Sequence, residues 1–117
     1  MPHITSDAMQ RCIEKCQQCF AACTSTMTHC LAMGERHAAP KHIAVLLDCA
    51  ELCNTSASFM LRSSVLHPRV CEVCAEACEA CAESCEQIGD DEQMRACAAS
   101  CRRCAESCRE MATARRE

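Results

Sequence analysis

Residues 71–85 read CEVCAEACEACAESC, and residues 97–108 read CAASCRRCAESC. In both stretches successive cysteines lie alternately three and four positions apart, and residues 12–23, CIEKCQQCFAAC, follow the same rule. A spacing that averages 3.5 residues places side chains on one stripe of a helix in a bundle, whereas a strand requires alternation by two. The cysteines therefore predict helices whose thiols face a shared core.

The composition indicates that this core consists largely of cysteine. The chain has sixteen cysteines among 117 residues, with two phenylalanines and no tryptophan or tyrosine. Large aliphatic residues are too few for a conventional core, so the thiols must supply much of the interior. Two glycines and three prolines favour long helices over a loop-rich disulfide scaffold. The cysteines are Cys12, Cys16, Cys19, Cys23, Cys30, Cys49, Cys53, Cys71, Cys74, Cys78, Cys81, Cys85, Cys97, Cys101, Cys104 and Cys108.

Residues that end or begin helices divide the chain into four segments. Gly34 and Gly89 are suited to follow the last turn of a helix, and Pro40 and Pro68 to occupy a first turn. Asp90 can open a capping box for the last helix. Short connections make neighbouring helices antiparallel, which predicts an all-α, up-down-up-down four-helix bundle as a single domain over residues 1–117. The helices are expected near residues 7–33, 40–64, 68–88 and 91–113.

The outer faces of the predicted helices differ in character. Helix two carries Val45, Leu52, Phe59 and Leu66 at intervals of seven beside its core stripe, which predicts an enclosed helix or a subunit contact. Helix three exposes glutamates and helix four exposes arginines, so their surfaces should pair.

Charge and hydropathy exclude several classes of protein. A net charge of −4 and the scarcity of aromatic residues are not those of a nucleic-acid binder. A run of 18 apolar residues is absent from the sequence, so we expect no membrane span. The N-terminus resembles neither a secretory nor a twin-arginine signal, which favours the cytosol, where thiols stay reduced. No Ser-His-Asp or Glu-x-x-His arrangement is apparent, so we expect no enzymatic activity.

Metal binding is the chemistry that best explains inward-facing thiols. Cysteines three or four positions apart on a helix have Cβ atoms about 5–6 Å apart, too far for a disulfide. The CxxxCxxC triplets resemble an iron–sulfur motif, but they follow from the helical period. Zinc would need four ligands from several helices, whereas Cu(I) accepts two or three soft ligands, including two nearly collinear thiolates. Cu(I) is therefore the favoured metal, with a zinc reservoir or a structural or redox thiol protein as alternatives.

The cysteine pattern resembles the bacterial copper storage proteins, and in particular their cytosolic branch. The resemblance covers residues 9–111 and rests on CxxxCxxCxxxC stripes facing the core of a four-helix bundle. It implies a tube of thiolates that holds many Cu(I) ions in a homotetramer, with copper chaperones as partners. Ser56 stands in phase where a further thiol would fit, so copper should be less dense along helix two.

The antiparallel arrangement also predicts a copper mouth. Thioether sulfur binds Cu(I) without deprotonation, and one bundle end should gather methionines and a histidine around Ser63. Leu46 and Ile88 should plug the opposite end, where Met33, His37, His42 and Met94 are also expected. All sixteen cysteines are predicted ligands, and the residues predicted to bind copper at the mouth are Met9, Met60, His67 and Met111.

Overall fold

The computed structural model describes residues 6–89 and 91–114, and within them all regular structure is helical. The prediction of an all-α four-helix bundle is confirmed. The bundle measures 52 × 21 × 21 Å, and contacts between opposite helix ends, such as Cys12 with Cys108, make neighbours antiparallel. The helices are α1 (Asp7–Met33), α2 (Pro40–Leu61), α3 (His67–Ile88) and α4 (Glu92–Ala114), with a short 3₁₀ helix at Glu35–Ala38 between α1 and α2.

Small side chains beside the cysteines keep the bundle narrow. Alanines recur at intervals of seven on three helices and are at most 4% exposed. Because alanine adds little volume beyond Cβ, it lets helices approach closely while the thiols fill the axis. The alanines are Ala50 and Ala57 on α2, Ala75 and Ala82 on α3, and Ala98 and Ala105 on α4.

The two glycines end helices as the sequence predicts. Gly34 has a φ of 74° and donates its N–H to the Cys30 carbonyl, and Gly89 has a φ of 58°. The predicted cap residue Asp90 lies outside the described residues. The observed cap of α4 is Asp91, whose Oδ1 accepts the Met94 N–H at 2.8 Å. This hydrogen bond is the main reason why the pKa of Asp91 falls to about 2, and the His37 ring adds to the effect.

Helix α2 ends at Leu61, three residues before the predicted end at residue 64. The N–H of Ser63 donates to the Met60 carbonyl and the N–H of Ser64 to the Phe59 carbonyl. These two hydrogen bonds form a Schellman motif, which requires a left-handed residue at its centre. Ser63 fills that position with a φ of 54°. This ending was not predictable from the sequence, because the position usually held by glycine is occupied by Ser63.

Ser63→Gly is expected to stabilise the apo-protein by about 1 kcal/mol, because glycine adopts the left-handed conformation without steric cost. The free energy of unfolding in urea measures the effect. Ser64→Gly is the control, since Ser64 does not have a positive φ. This variant gains no such relief and also loses the hydrogen bond from the Leu66 N–H to the Ser64 hydroxyl, so it should be less stable. Equal changes in the two variants would contradict the assignment of strain to Ser63.

Ion pairs join the outer faces of α3 and α4, as the charges predict. The Arg102 guanidinium donates to both carboxylate oxygens of Glu86, at 2.7 and 3.2 Å, and Arg109 pairs with Glu79. Both pairs are exposed to solvent, so they orient the helices and contribute little to stability.

Helix α2 is apolar on its outer side as well as along its core stripe. Leu47 and Leu61 are 44% and 58% exposed. By length and hydropathy alone, Pro40–Leu61 could cross a membrane, but a core helix of a water-soluble bundle passes the same test. This helix also places His42, Cys49 and Cys53 in the bundle interior.

Candidate metal centre

All sixteen cysteine side chains lie in the interior, and each is at most 1% exposed. The heptad phase of the four helices turns every stripe toward the axis, so thiols from all four helices share one core. Their sulfurs are free thiols.

Thiol sulfurs on different helices lie 3.6–4.0 Å apart. Cys16 is 3.6 Å from Cys108 and from Cys104, and Cys53 is 3.6 Å from Cys78. These distances far exceed the disulfide bond length of about 2.05 Å. They correspond instead to two sulfurs bound to one metal ion, because metal–sulfur bonds of about 2.3 Å separate the sulfurs of a trigonal or tetrahedral site by about 3.8–4.0 Å.

Pairs along a single helix have the same separation. Cys19 and Cys23 lie 3.9 Å apart, as do Cys74 and Cys78. Two collinear thiolates would lie about 4.6 Å apart, given metal–sulfur bonds of about 2.3 Å. The observed geometry therefore favours sites of three or four ligands over the linear pair.

The thiols form overlapping groups along the axis. Within each group the sulfurs all lie within 4.8 Å of one another, and successive groups share Cys108, Cys104, Cys19, or both Cys23 and Cys101. Sharing connects the ligands into one continuous array. The groups include Cys12, Cys71 and Cys108; Cys16, Cys74, Cys104 and Cys108; Cys19, Cys53, Cys78 and Cys104; Cys19, Cys23, Cys49 and Cys101; and Cys23, Cys81, Cys97 and Cys101.

The electrostatics of the core favour occupation by cations. Hydrogen bonds with Cys108 and Cys16 lower the pKa of Cys104 to about 7, whereas burial raises the pKa of Cys30 to about 11. Among the described residues, no lysine or arginine side chain is buried. Thiolates formed in this core thus have no side-chain ammonium or guanidinium to balance them, and a metal ion would supply that charge.

Helix α2 contributes fewest thiols, as the sequence indicates. Ser56 is fully buried in phase with the cysteines, and its hydroxyl donates to the Val70 carbonyl at 3.5 Å. The group at Cys12, Cys71 and Cys108 has no α2 member.

The predicted mouth lies at the end formed by the start of α1 and the end of α4. Met60 is fully buried and Met111 is 5% exposed, while Met9 and His67 are partly buried. Nδ1 of His67 is buried without a hydrogen-bond partner, and burial lowers the pKa of this histidine. Neutral imidazole and thioether donors therefore occupy this end.

The opposite end differs in one respect from the prediction. Leu46, Ile88, His42 and Met94 are buried there, but Met33 is 51% exposed. The expectation that Met33 points inward is wrong, because α1 stops at this residue. The 3₁₀ helix that follows carries His37 back toward α4, where its Nε2 lies 2.7 Å from Asp91 Oδ2.

Sequence reasoning missed how His42 is held. Its Nδ1 lies 2.7 Å from the Ser84 hydroxyl, and its Nε2 lies 3.4 Å from the Cys30 sulfur. The heptad phase places His42 in the core but says nothing of Ser84, which lies off the cysteine stripe of α3. Burial lowers the pKa of His42, so the ring is neutral near pH 7.

A four-helix bundle whose interior is a continuous array of free thiols defines a protein built to hold several soft metal ions. A family model described as copper storage protein matches residues 5–113. The chain belongs to the copper storage protein family, whose function is to store copper.

Solved structures of high similarity agree with this assignment. A Nitrosospira multiformis protein is 44% identical, with a TM-score of 0.86 over 92% of this chain and 96% of that chain. The Cu(I)-bound copper storage protein BsCsp3 is 34% identical, with a TM-score of 0.85 over 92% of this chain and 100% of that chain. A cytosolic copper storage protein from Streptomyces lividans, solved with five coppers, is 33% identical, with a TM-score of 0.79 over 91% of this chain and 92% of that chain.

A curated relative matches over a shorter stretch. The cysteine-rich protein YhjQ of Bacillus subtilis is 36% identical over 67 residues, which are 57% of this chain. The match spans 62% of that relative, less than two thirds of its length.

Proposed function

We propose that this chain stores and buffers Cu(I) by binding many ions to its sixteen buried cysteine thiolates. The observation that carries the proposal is the series of overlapping thiol groups, because sulfurs shared between groups can bridge neighbouring ions. The Cu(I)-bound state of BsCsp3, which has the same fold, supports the choice of metal.

Charge also favours Cu(I) over Zn(II). A thiolate that binds one Cu(I) is neutralised by it, so a filled array can approach zero charge, with proton release as the thiols ionise. Zinc in a site of four thiolates leaves two negative charges in an apolar core, which costs several kcal/mol. Buried thioethers at both ends suit Cu(I) as well, because soft sulfur ligands select it.

Anaerobic titration of the reduced apo-protein tests the metal. Cu(I) should be retained in many equivalents against a chelator, and Zn(II), added to a parallel sample, should be retained far less. A higher retained stoichiometry for zinc would support a zinc reservoir. Cross-helix disulfides in freshly isolated protein would support a structural or redox thiol protein.

We propose further that copper passes through the end that carries Met9, Met60, His67 and Met111. Thioether and neutral imidazole bind Cu(I) without losing a proton, so they can pass ions inward to the group at Cys12, Cys71 and Cys108. The unpartnered Nδ1 of His67 supports this role, because a free lone pair is available there for an ion.

The triple change of Met9, Met60 and Met111 to leucine tests this route. Leucine preserves volume and apolarity, and the loss of the relay ligands should slow Cu(I) uptake and removal by roughly tenfold. Total capacity should remain nearly unchanged. Stopped-flow mixing with a coloured chelator measures both rates, and Met33→Leu with Met94→Leu is the control at the other end. If the control slows exchange and the triple variant does not, copper uses the opposite end.

The remaining parts of the proposal concern the setting. We place the protein in the cytosol, because the Streptomyces relative is a cytosolic protein. We expect copper chaperones to donate copper to it or to accept copper from it, and we expect no catalytic activity.

The exposed Leu47 and Leu61 on α2 support assembly into a homotetramer through this helix. Light scattering of Leu47→Glu and of Leu61→Glu tests the assembly, since a charge within the interface should release monomers.

A further inference from the structure

Three potential ligands from three different helices meet at the bundle end opposite the methionine-rich mouth. Cys30 lies near the end of α1, His42 near the start of α2 and Met94 near the start of α4. The Cys30 sulfur is 3.4 Å from His42 Nε2 and 4.0 Å from Met94 Sδ. Cys30 and Met94 are fully buried and His42 is 4% exposed. The end therefore combines a thiol, an imidazole and a thioether, all three buried.

The separations suit a shared metal ion. With bonds of about 2.3 Å to sulfur and about 2.0 Å to nitrogen, a sulfur and a nitrogen on one ion lie about 3.5–3.7 Å apart, and two sulfurs about 3.8–4.0 Å. The observed 3.4 and 4.0 Å differ from these values by a few tenths of an ångström. Small side-chain rotations would thus suffice to bind an ion.

Ser84 orients the imidazole for this purpose. Nδ1 of His42 lies 2.7 Å from the Ser84 hydroxyl. When Nδ1–H donates to that oxygen, Nε2 carries a lone pair directed at Cys30. A histidine that ligates a metal usually donates its other ring N–H in this way, which fixes both tautomer and ring orientation.

The three residues are set apart from the thiol array on two helices. On α1 the fully buried position between Cys23 and Cys30 is Thr26, and on α2 the one between His42 and Cys49 is Leu46. Neither side chain offers a soft ligand. A surface cleft lined in part by His42 and Ser84 lies beside the site.

We propose that Cys30, His42 and Met94 form a separate Cu(I) site with one thiolate, one imidazole and one thioether ligand. Its single thiolate balances the charge of one Cu(I), so the site is neutral with one ion and needs no bridging neighbours. The site is specific for a soft monovalent cation, because the thioether is a poor ligand for Zn(II). This assignment rests on the proposed storage of Cu(I) and adds a site of a second kind to it.

Nitrogen NMR of the full chain labelled with ¹⁵N-histidine tests the site. Cu(I) is added anaerobically as its acetonitrile complex. The Nε2 resonance of His42 should shift strongly as the protein fills, while Nδ1 keeps its hydrogen bond and moves little. Met94→Leu and Cys30→Ser should each abolish or reduce the shift, and Ser84→Ala should weaken binding at this site by roughly 10–100-fold.

The controls separate this proposal from the storage function itself. His29→Gln alters a histidine at the same end that contacts Asp91, so it should leave the His42 response intact. If His42 Nε2 does not move at full copper loading, the site does not exist, although storage by the other thiols stands. If the chain retains no Cu(I) against a chelator, the proposed function itself fails. Far-ultraviolet circular dichroism checks that each variant is folded.

Discussion

Replacing Cys101 and Cys104 together by serine is expected to abolish tight binding of about four Cu(I) ions, if each disrupted thiol group releases one ion. Replacing Cys49 and Cys53 together by serine should abolish tight binding of about two ions on the same basis. The reason is the position of each pair in the array. Cys101 and Cys104 each belong to two of the four-thiol groups, and the groups of one are not those of the other. Cys49 and Cys53 belong to one four-thiol group each.

Both double variants lose two thiolates and place two serine hydroxyls in the core. The free-energy cost of burying these hydroxyls is therefore the same in both. Total capacity, which follows the number of thiolates, should fall by a similar amount in each. The ions retained against a strong chelator should differ, because retention depends on complete groups of ligands. Inductively coupled plasma mass spectrometry after chelator treatment gives the count. Equal retention in the two variants would mean that the thiols act independently rather than as shared groups.

The central role of α4 follows from its stripe of four cysteines at steps of four, three and four residues. Each thiol group described above takes at least one ligand from this helix. Because α4 packs against both α1 and α3, its thiols lie between theirs and can bridge ions held by either. Helix α1, whose cysteines Cys12, Cys16, Cys19 and Cys23 follow the same steps, also contributes to every group, so these two helices together connect the thiol array.

The burial of all sixteen cysteines was predictable from their period. A side chain in phase with a bundle seam has one available direction, and the 3.5-residue repeat continues through all four helices. A position in phase with the cysteines did not by itself predict burial at the end of a helix. Met33 is in phase with Cys30, yet it is exposed, because α1 ends at this residue.

Cross-helix partnerships were not predictable from the same pattern. The contact of His42 with Ser84 depends on the axial offset between α2 and α3, which the loop at residues 62–66 fixes. In that loop Ser63 has a left-handed backbone conformation, and the loop sequence does not predict that α2 ends at Leu61. The period determines which way a side chain points, whereas the loops determine which residue it meets.

Anaerobic titration of the wild-type chain is expected to saturate near sixteen Cu(I), about one ion for each thiolate. Each Cu(I) supplies one positive charge, and the described buried residues include no lysine or arginine that could balance a thiolate. An array filled at one ion for two thiolates would retain about eight negative charges in a medium where each costs several kcal/mol. Filling should therefore continue from isolated ions to bridged clusters.

Proton release gives an independent measure of the same balance. About one proton should leave for each Cu(I) bound near neutral pH, where most buried thiols are protonated, since the ligand is the thiolate. A pH-stat or a weakly buffered indicator records this ratio during the titration. Cys30→Ser should lower saturation by one ion and one proton together. A plateau near eight ions with about two protons per ion would show that paired thiolates carry their negative charge in the core without copper to neutralise it.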